Sequence, residues 1–159
     1  MKCFEITGEM KTPQELYQWM SSHIKYSHPS NWKLKSVYDT MMSGSGDCHD
    51  QTLFEYKYFQ SMWGHKYKPV PFFMIKPDGS ATHSFLAFYE NGKYFWFENS
   101  WKGHTGINGP YKNLPELKKD VLTQWCSQYG GDPDNTYIGK MRCMTPGVSI
   151  EEFCKKNVK

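Results

Sequence analysis

Cys48 stands in the stretch SGSGDCHDQT, residues 43–52, after Gly44, Gly46 and Asp47 and just before an apolar run. A thiol does acyl-transfer chemistry as thiolate, and a helix N-terminus and a neighbouring imidazole both lower its pKa. Asp47 reads as the N-cap of a helix beginning at Cys48, which supplies the first. For the second, His83 is the best-placed histidine, because it opens the strand-like run HSFLAFY and projects from a rigid element. His49 follows Cys48 directly and is expected to face another way on the helix. His23, His28, His65 and His104 fall at a helix end or in loops.

A Cys-His pair needs a third group to orient the ring. The runs at 83–89 and 94–98 flank Glu90-Asn91-Gly92-Lys93, and Asn-Gly between aromatic-rich runs is a strong hairpin signal, a type I′ turn. With Asn91 and Gly92 as the two turn residues, Glu90 faces Lys93, Phe85 faces Glu98 and Ser84 faces Asn99. His83 and Glu98 are then diagonal neighbours on one face, roughly 7–8 Å apart at the backbone. Asn99 falls on the other face. A three-residue turn would shift the pairing by one and select Asn99 instead.

The segments GDCHDQTLFEYKYF and THSFLAFYENGKYFWFENSW resemble the transglutaminase-like superfamily of cysteine enzymes. That family carries G-x-C at a helix start, then a strand beginning with His, then an acidic residue closing the next strand. His83, Gly92, Lys93, Tyr94, Glu98 and Trp101 meet its second motif without a gap, and the motifs span about residues 44 to 107. The resemblance implies Cys48 as nucleophile, His83 as general base and Glu98 as orienting acid. It also implies a papain/transglutaminase-like core with an antiparallel sheet. The family more often has Asp at the Glu98 position and Ala-Trp where Ser84-Phe85 follows the histidine. His83…Asn99-Ser100-Trp101 also looks like the His…Asn-Ser-Trp segment of papain-like proteases, but the Cys-to-His interval is far too short for that family.

One oxyanion donor is expected to be the Cys48 backbone N–H, at the positive end of its helix. The second comes from upstream, with Gln14, Trp19, Tyr26 and Trp32 as open candidates. Asp47 and Asp50 beside Cys48 and His49 hint at a metal, but no second Cys/His cluster stands at ligand spacing, so neither metal nor cofactor is expected.

Several further elements frame these residues. Thr12-Pro13-Gln14-Glu15 reads as a capping box with proline at the first helical position. Leu16, Trp19, Met20 and Ile24 continue that helix. Ser36 opens a short second helix that stops before Gly44. The cysteine's helix ends near Gly64, with Leu53, Tyr56 and Trp63 on one face. Val70 to Ile75 suits a strand whose start Pro69 and Pro71 push towards an edge or bulge. Asn113 to Glu116 caps a helix running to Gly130-Gly131, 136–142 reads as a strand, and Ser149 to Glu152 caps a last helix holding Phe153. The order predicts a single α+β domain over 1–159, not a doubly wound parallel sheet.

At 159 residues the chain can bury a substantial core, and its 17% aromatic content suggests a ring-rich one. The net charge of +3 argues for neither nucleic acid nor a membrane surface. The N-terminal MKCFEITGEMKTPQ shows no apolar leader core, and no window is apolar enough to span a bilayer. Five cysteines (Cys3, Cys48, Cys126, Cys143 and Cys154), with no C-x-x-C pair, fit free thiols in a reducing, cytoplasmic setting. The expected function is a thiol enzyme acting on an amide or related acyl group of a protein or peptide. Hydrolysis (protease, amidase or deamidase) is favoured over transamidation, because so short a chain has no extra domains to wall off an acceptor. The alternative is a binding module of the same fold, without turnover, holding a peptide or partner protein.

Overall fold

The computed structural model describes residues 10–158; Cys3 and the first nine residues of the N-terminal stretch lie outside them. Helix α1 (Pro13–His23) starts where predicted, with the Thr12 hydroxyl accepting from the Glu15 N–H at 3.2 Å and Pro13 in the first turn. A two-residue strand β1 (Lys25–Tyr26) follows, then helix α2 (Val37–Ser43), which Ser36 caps and Gly44 ends in the left-handed region at φ 65°. Strand β2 (Ser45–Gly46) pairs with β1 in parallel and runs straight into helix α3 (Cys48–Trp63).

Strands β3 (Val70–Ile75), β4 (Thr82–Glu90), β5 (Lys93–Glu98), β6 (Gly106–Tyr111) and β7 (Tyr137–Lys140) form one antiparallel sheet in the order β6-β5-β4-β3-β7. Helix α4 (Leu114–Tyr129) connects β6 to a 3-10 turn before β7, and α5 (Ile150–Asn157) closes the described chain. The architecture is α+β, with five α-helices and this sheet among the described residues. None of those helices is long and apolar enough to cross a membrane.

Alternation along the strands sorts the core into layers. Leu86, Phe88 and Phe97 face one side and pack with Leu16 and Met20 of α1 and Phe54 and Phe59 of α3. Phe85, Ala87 and Trp96 face the other and meet Leu117, Val121 and Trp125 of α4. A third cluster joins Trp32, Leu53, Phe73 and Phe153 beneath α5. At roughly 1.5–3 kcal/mol for each fully buried large side chain, these clusters hold the two layers on the sheet.

β3 lies inside the sheet, paired by β7 from Phe72 to Ile75, and its proline-bearing start, Val70-Pro71, extends past that ladder as the prolines predict. Two readings differ from the sequence expectation. The edge strand β6 gives no strand signal, because GINGPY is written in turn residues and lacks alternation. Leu53 does not share a face with Tyr56 and Trp63: it packs in the third cluster while they join the first.

Candidate active site

Cys48 is the first residue of α3 and is 6% exposed. Its position is set by a reciprocal cap. Asp47 Oδ1 accepts from the His49 and Asp50 N–H groups at 2.9 and 3.0 Å, and Asp50 Oδ2 accepts from the Asp47 N–H at 3.0 Å. Glycine is required at 46, since a Cβ there would lie 2.7 Å from Asp50 Cβ. Asp50 is further held by Trp32 Nε1 at 3.1 Å and the Lys35 N–H at 2.8 Å. Asp47 Oδ2 lies 2.8 Å from His28 Nδ1, and the His28 ring stacks on Trp32. The cap takes the N–H groups of His49 and Asp50; that of Cys48 has no partner among the described residues.

The hairpin has the two-residue turn and the predicted register. Asn91 and Gly92 both have positive φ, 52° and 81°, and the ladder runs from Glu90↔Lys93 to Leu86↔Phe97. His83 Nε2 meets Glu98 Oε1 at 2.6 Å. Glu98 Oε2 accepts from the Ser100 and Trp101 N–H groups at 2.9 and 3.0 Å, so three donors converge on a side chain only 2% exposed. With Nε2 committed to Glu98, Nδ1 is the His83 nitrogen left for the thiol. Asn99 turns to the other face, where its Nδ2 reaches Met20 Sδ at 3.3 Å. Ser100 Oγ donates to Gln51 Oε1 at 3.1 Å and Gln51 Nε2 donates to Gly46 O at 2.9 Å, tying the end of β5 to the turn that carries the cysteine.

Cys48 and His83 line one cavity of about 360 Å³ with Tyr26, Trp101, Trp125 and Tyr129. Its walls come from β1, α3, β4, the β5–β6 loop and α4, where the two layers meet. The electrostatics oppose a resting thiolate. Burial pushes the Cys48 thiol well above its usual range; the charge of Asp47 adds to this, the Ser84 backbone N–H counters it, and Glu98 and Asp50 push further. Asp47 itself is raised to about 6 by burial and by Asp50, against its cap hydrogen bond and His28. The helix-start effect read from the sequence is therefore outweighed, and the resting group is the thiol.

Four histidines flank this region differently. His49 is buried, with Nδ1 2.6 Å from Ser84 Oγ and Nε2 3.0 Å from Thr82 Oγ1, and burial holds it neutral well below its usual pKa. His28 sits on the cap, His23 stacks on Trp19, and His104 lies against Trp101. Asp47, Cys48 and His49 bring one ligand-type atom each within 4.8 Å of one another in a buried cluster. A cation there would compete with the hydrogen bonds that already occupy both His49 nitrogens and both Asp47 oxygens.

Of the four oxyanion candidates, Gln14 is exposed on α1, and Trp19 stacks between His23 and Phe54 at 4.6 and 5.8 Å. Trp32 is committed to Asp50. Tyr26 alone among them lines the cavity. Sequence reasoning missed Gln51, Ser100 and the wall residues Trp125 and Tyr129. The last two carried a signal, an aromatic pair four residues apart on a predicted helix. No protein-family model matches the chain, and no curated protein matches it either.

Proposed function

We propose that the chain is a transglutaminase-like thiol enzyme, built on a papain/transglutaminase-like core, that acts on an amide or related acyl group of a protein or peptide. The observation that carries this reading is the buried His83–Glu98 pair opening on the same cavity as Cys48. Cys48 Sγ attacks the acyl carbon and its proton passes to His83 Nδ1. Glu98 stabilises the imidazolium through a charge-assisted hydrogen bond. As the tetrahedral intermediate collapses, the carbonyl re-forms and the C–N bond breaks. The leaving amine takes the proton from His83, and a thioester stays on Cys48. Water then attacks with His83 again as base, releasing the acid and restoring the thiol. Because the thiol rests protonated, proton transfer accompanies attack. Hydrolysis is preferred over transamidation because Tyr26 and Tyr129 at the cavity mouth are exposed, which leaves the thioester open to water.

A panel of peptides and glutamine donors, run with and without a primary amine, tests the reading. Expected is an acyl adduct mapped to Cys48 that turns over to acid and is lost in Cys48→Ala. Amine incorporation outrunning hydrolysis would make the enzyme a transamidase. A binding module of the same fold is favoured only by the exposed Tyr26 and Tyr129, 58% and 48% accessible at the cavity mouth. It would be established if Cys48→Ala kept all biological activity while substitution of those rings removed it.

A further inference from the structure

The thiol mechanism places a negative charge on the carbonyl oxygen of the tetrahedral intermediate, and that charge needs donors that are already in place. The unpartnered N–H of Cys48 supplies one. We propose that the Tyr26 hydroxyl is the second donor, so that Tyr26 is a catalytic residue of the acyl-transfer reaction; the inference rests on the thiol-enzyme reading above.

Three observations converge on it. Tyr26 lines the cavity that holds Cys48 and His83, and its hydroxyl has no hydrogen-bond partner among the described residues. Its backbone is tied to the turn before the nucleophile: Tyr26 pairs with Gly46, the Lys25 N–H donates to Gly44 O at 2.8 Å, and the Ser27 N–H donates to Gly46 O at 3.1 Å. This short parallel ladder fixes Tyr26 relative to Cys48 across only two residues, and Gly46 is itself locked against Asp50. Finally, although the ring is exposed at the cavity mouth, partial desolvation there, with the nearby Cys48 and Asp47, pushes the phenol up to about 12, so at working pH it keeps its proton and can only donate or accept a hydrogen bond. The proton stays on Tyr26 throughout; the hydroxyl stabilises the oxyanion as the C=O bond opens and releases it as that bond re-forms. The competing candidates have no such freedom, since Trp32 Nε1 is committed to Asp50 and Gln14 and Trp19 do not line the cavity.

The test compares two reactions of one thiol in the wild type and Tyr26→Phe at one pH. Acylation of Cys48 by p-nitrophenyl acetate passes through an oxyanion; alkylation by iodoacetamide is a direct displacement at carbon and does not. Intact-mass mapping follows both. Tyr26→Phe should slow acylation by about 10²-fold while alkylation stays within about twofold of wild type, a split that loss of packing would not produce. Unchanged acylation, or equal slowing of both reactions, overturns the assignment of Tyr26. If wild-type Cys48 alkylates but never acylates, the thiol-enzyme reading fails first and takes the assignment with it. Tyr26→Leu, which also lacks a donor, serves as the second variant: if Tyr26→Phe fails to fold, selective loss of acylation in Tyr26→Leu with alkylation within about twofold of wild type supports the proposal, and unchanged acylation refutes it.

Discussion

Two buried histidines stand near Cys48, and they differ in what holds them. His49 is its neighbour in sequence and is bonded to two hydroxyls, Ser84 Oγ and Thr82 Oγ1, inside a ring of Trp32, Phe73 and Phe153. His83 comes from a different element and is bonded to a buried carboxyl group with two further N–H donors on its far oxygen. A hydroxyl can orient an imidazole but cannot stabilise its positive charge as a carboxylate does. His49 is thus a neutral strut between α3 and β4, whereas His83, the proposed base, faces a carboxyl group. Proximity along the chain says little about which imidazole can serve as a base; its partner decides.

The comparison is broken most severely at Glu98. On the proposed mechanism Glu98→Gln keeps the shape but removes the charge that would stabilise the imidazolium, and should lower Cys48 acylation by about 10³-fold. Asn99→Ala, on the opposite face, should change it by less than about threefold. Steady-state rates on one acyl ester measure both, and a larger loss at Asn99 would refute the register-based assignment.

Next in size is the pH dependence of the thiol. Burial and the charges of Asp47, Glu98 and Asp50 raise the Cys48 pKa, so thiolate accumulates only as pH rises through that elevated value. Iodoacetamide labelling of Cys48 should climb close to tenfold per unit, about 10²-fold between pH 7 and 9. A plateau already reached below pH 7 would mean a preformed thiolate–imidazolium pair.

His49 sharpens the contrast through stability. His49→Leu strands the buried Ser84 hydroxyl and releases the half-buried Thr82 one, and should cost about 1–3 kcal/mol for the buried group left unpaired, read as a lower urea midpoint. An unchanged midpoint would deny His49 its role as a strut.

The smallest effect concerns Glu55, 2% exposed on α3, whose Oε1 has no hydrogen-bond partner. Burial, then the charge of Glu98, pushes its carboxyl well above the usual range, against a hydrogen bond from Asn99. A raised folded pKa means the protonated form is favoured by folding. That contribution is complete below the unfolded carboxyl pKa of about 4.3 and is lost as pH rises through the folded value. Stability should therefore decline upward from about pH 5, by at most about 1.4 kcal/mol per unit from this group, and Glu55→Gln should flatten the slope. Urea titrations at several pH values decide it.

What could be read from the chain divides along local and non-local lines. Caps at Thr12, Ser36, Asp47, Asn113 and Ser149 were legible because each is a contact within three or four residues. So was the Glu98 register, because Asn91-Gly92 dictates the turn and the pleat carries the parity up the ladder. Strand β6 was not, since its pairing with β5 comes from the neighbouring strand and not from its own alternation. Nor was the thiol's environment: the helix start is local, but burial, joined by carboxylates that include Glu98, outweighs it, and only the fold brings these about. The pairing of β1 with β2, which sets Tyr26 beside Gly46, was also not legible, because two-residue strands carry no periodicity.

The central claim is that His83, held by Glu98, and not His49, is the base that serves Cys48. The direct measurement is the rate of Cys48 acylation by p-nitrophenyl acetate in His83→Ala and in His49→Gln, with the adduct mapped by mass spectrometry. The account predicts a loss of about 10³-fold in His83→Ala and a change of no more than a few-fold in His49→Gln. Near-normal acylation in His83→Ala, together with its collapse in a folded His49→Gln, would contradict it.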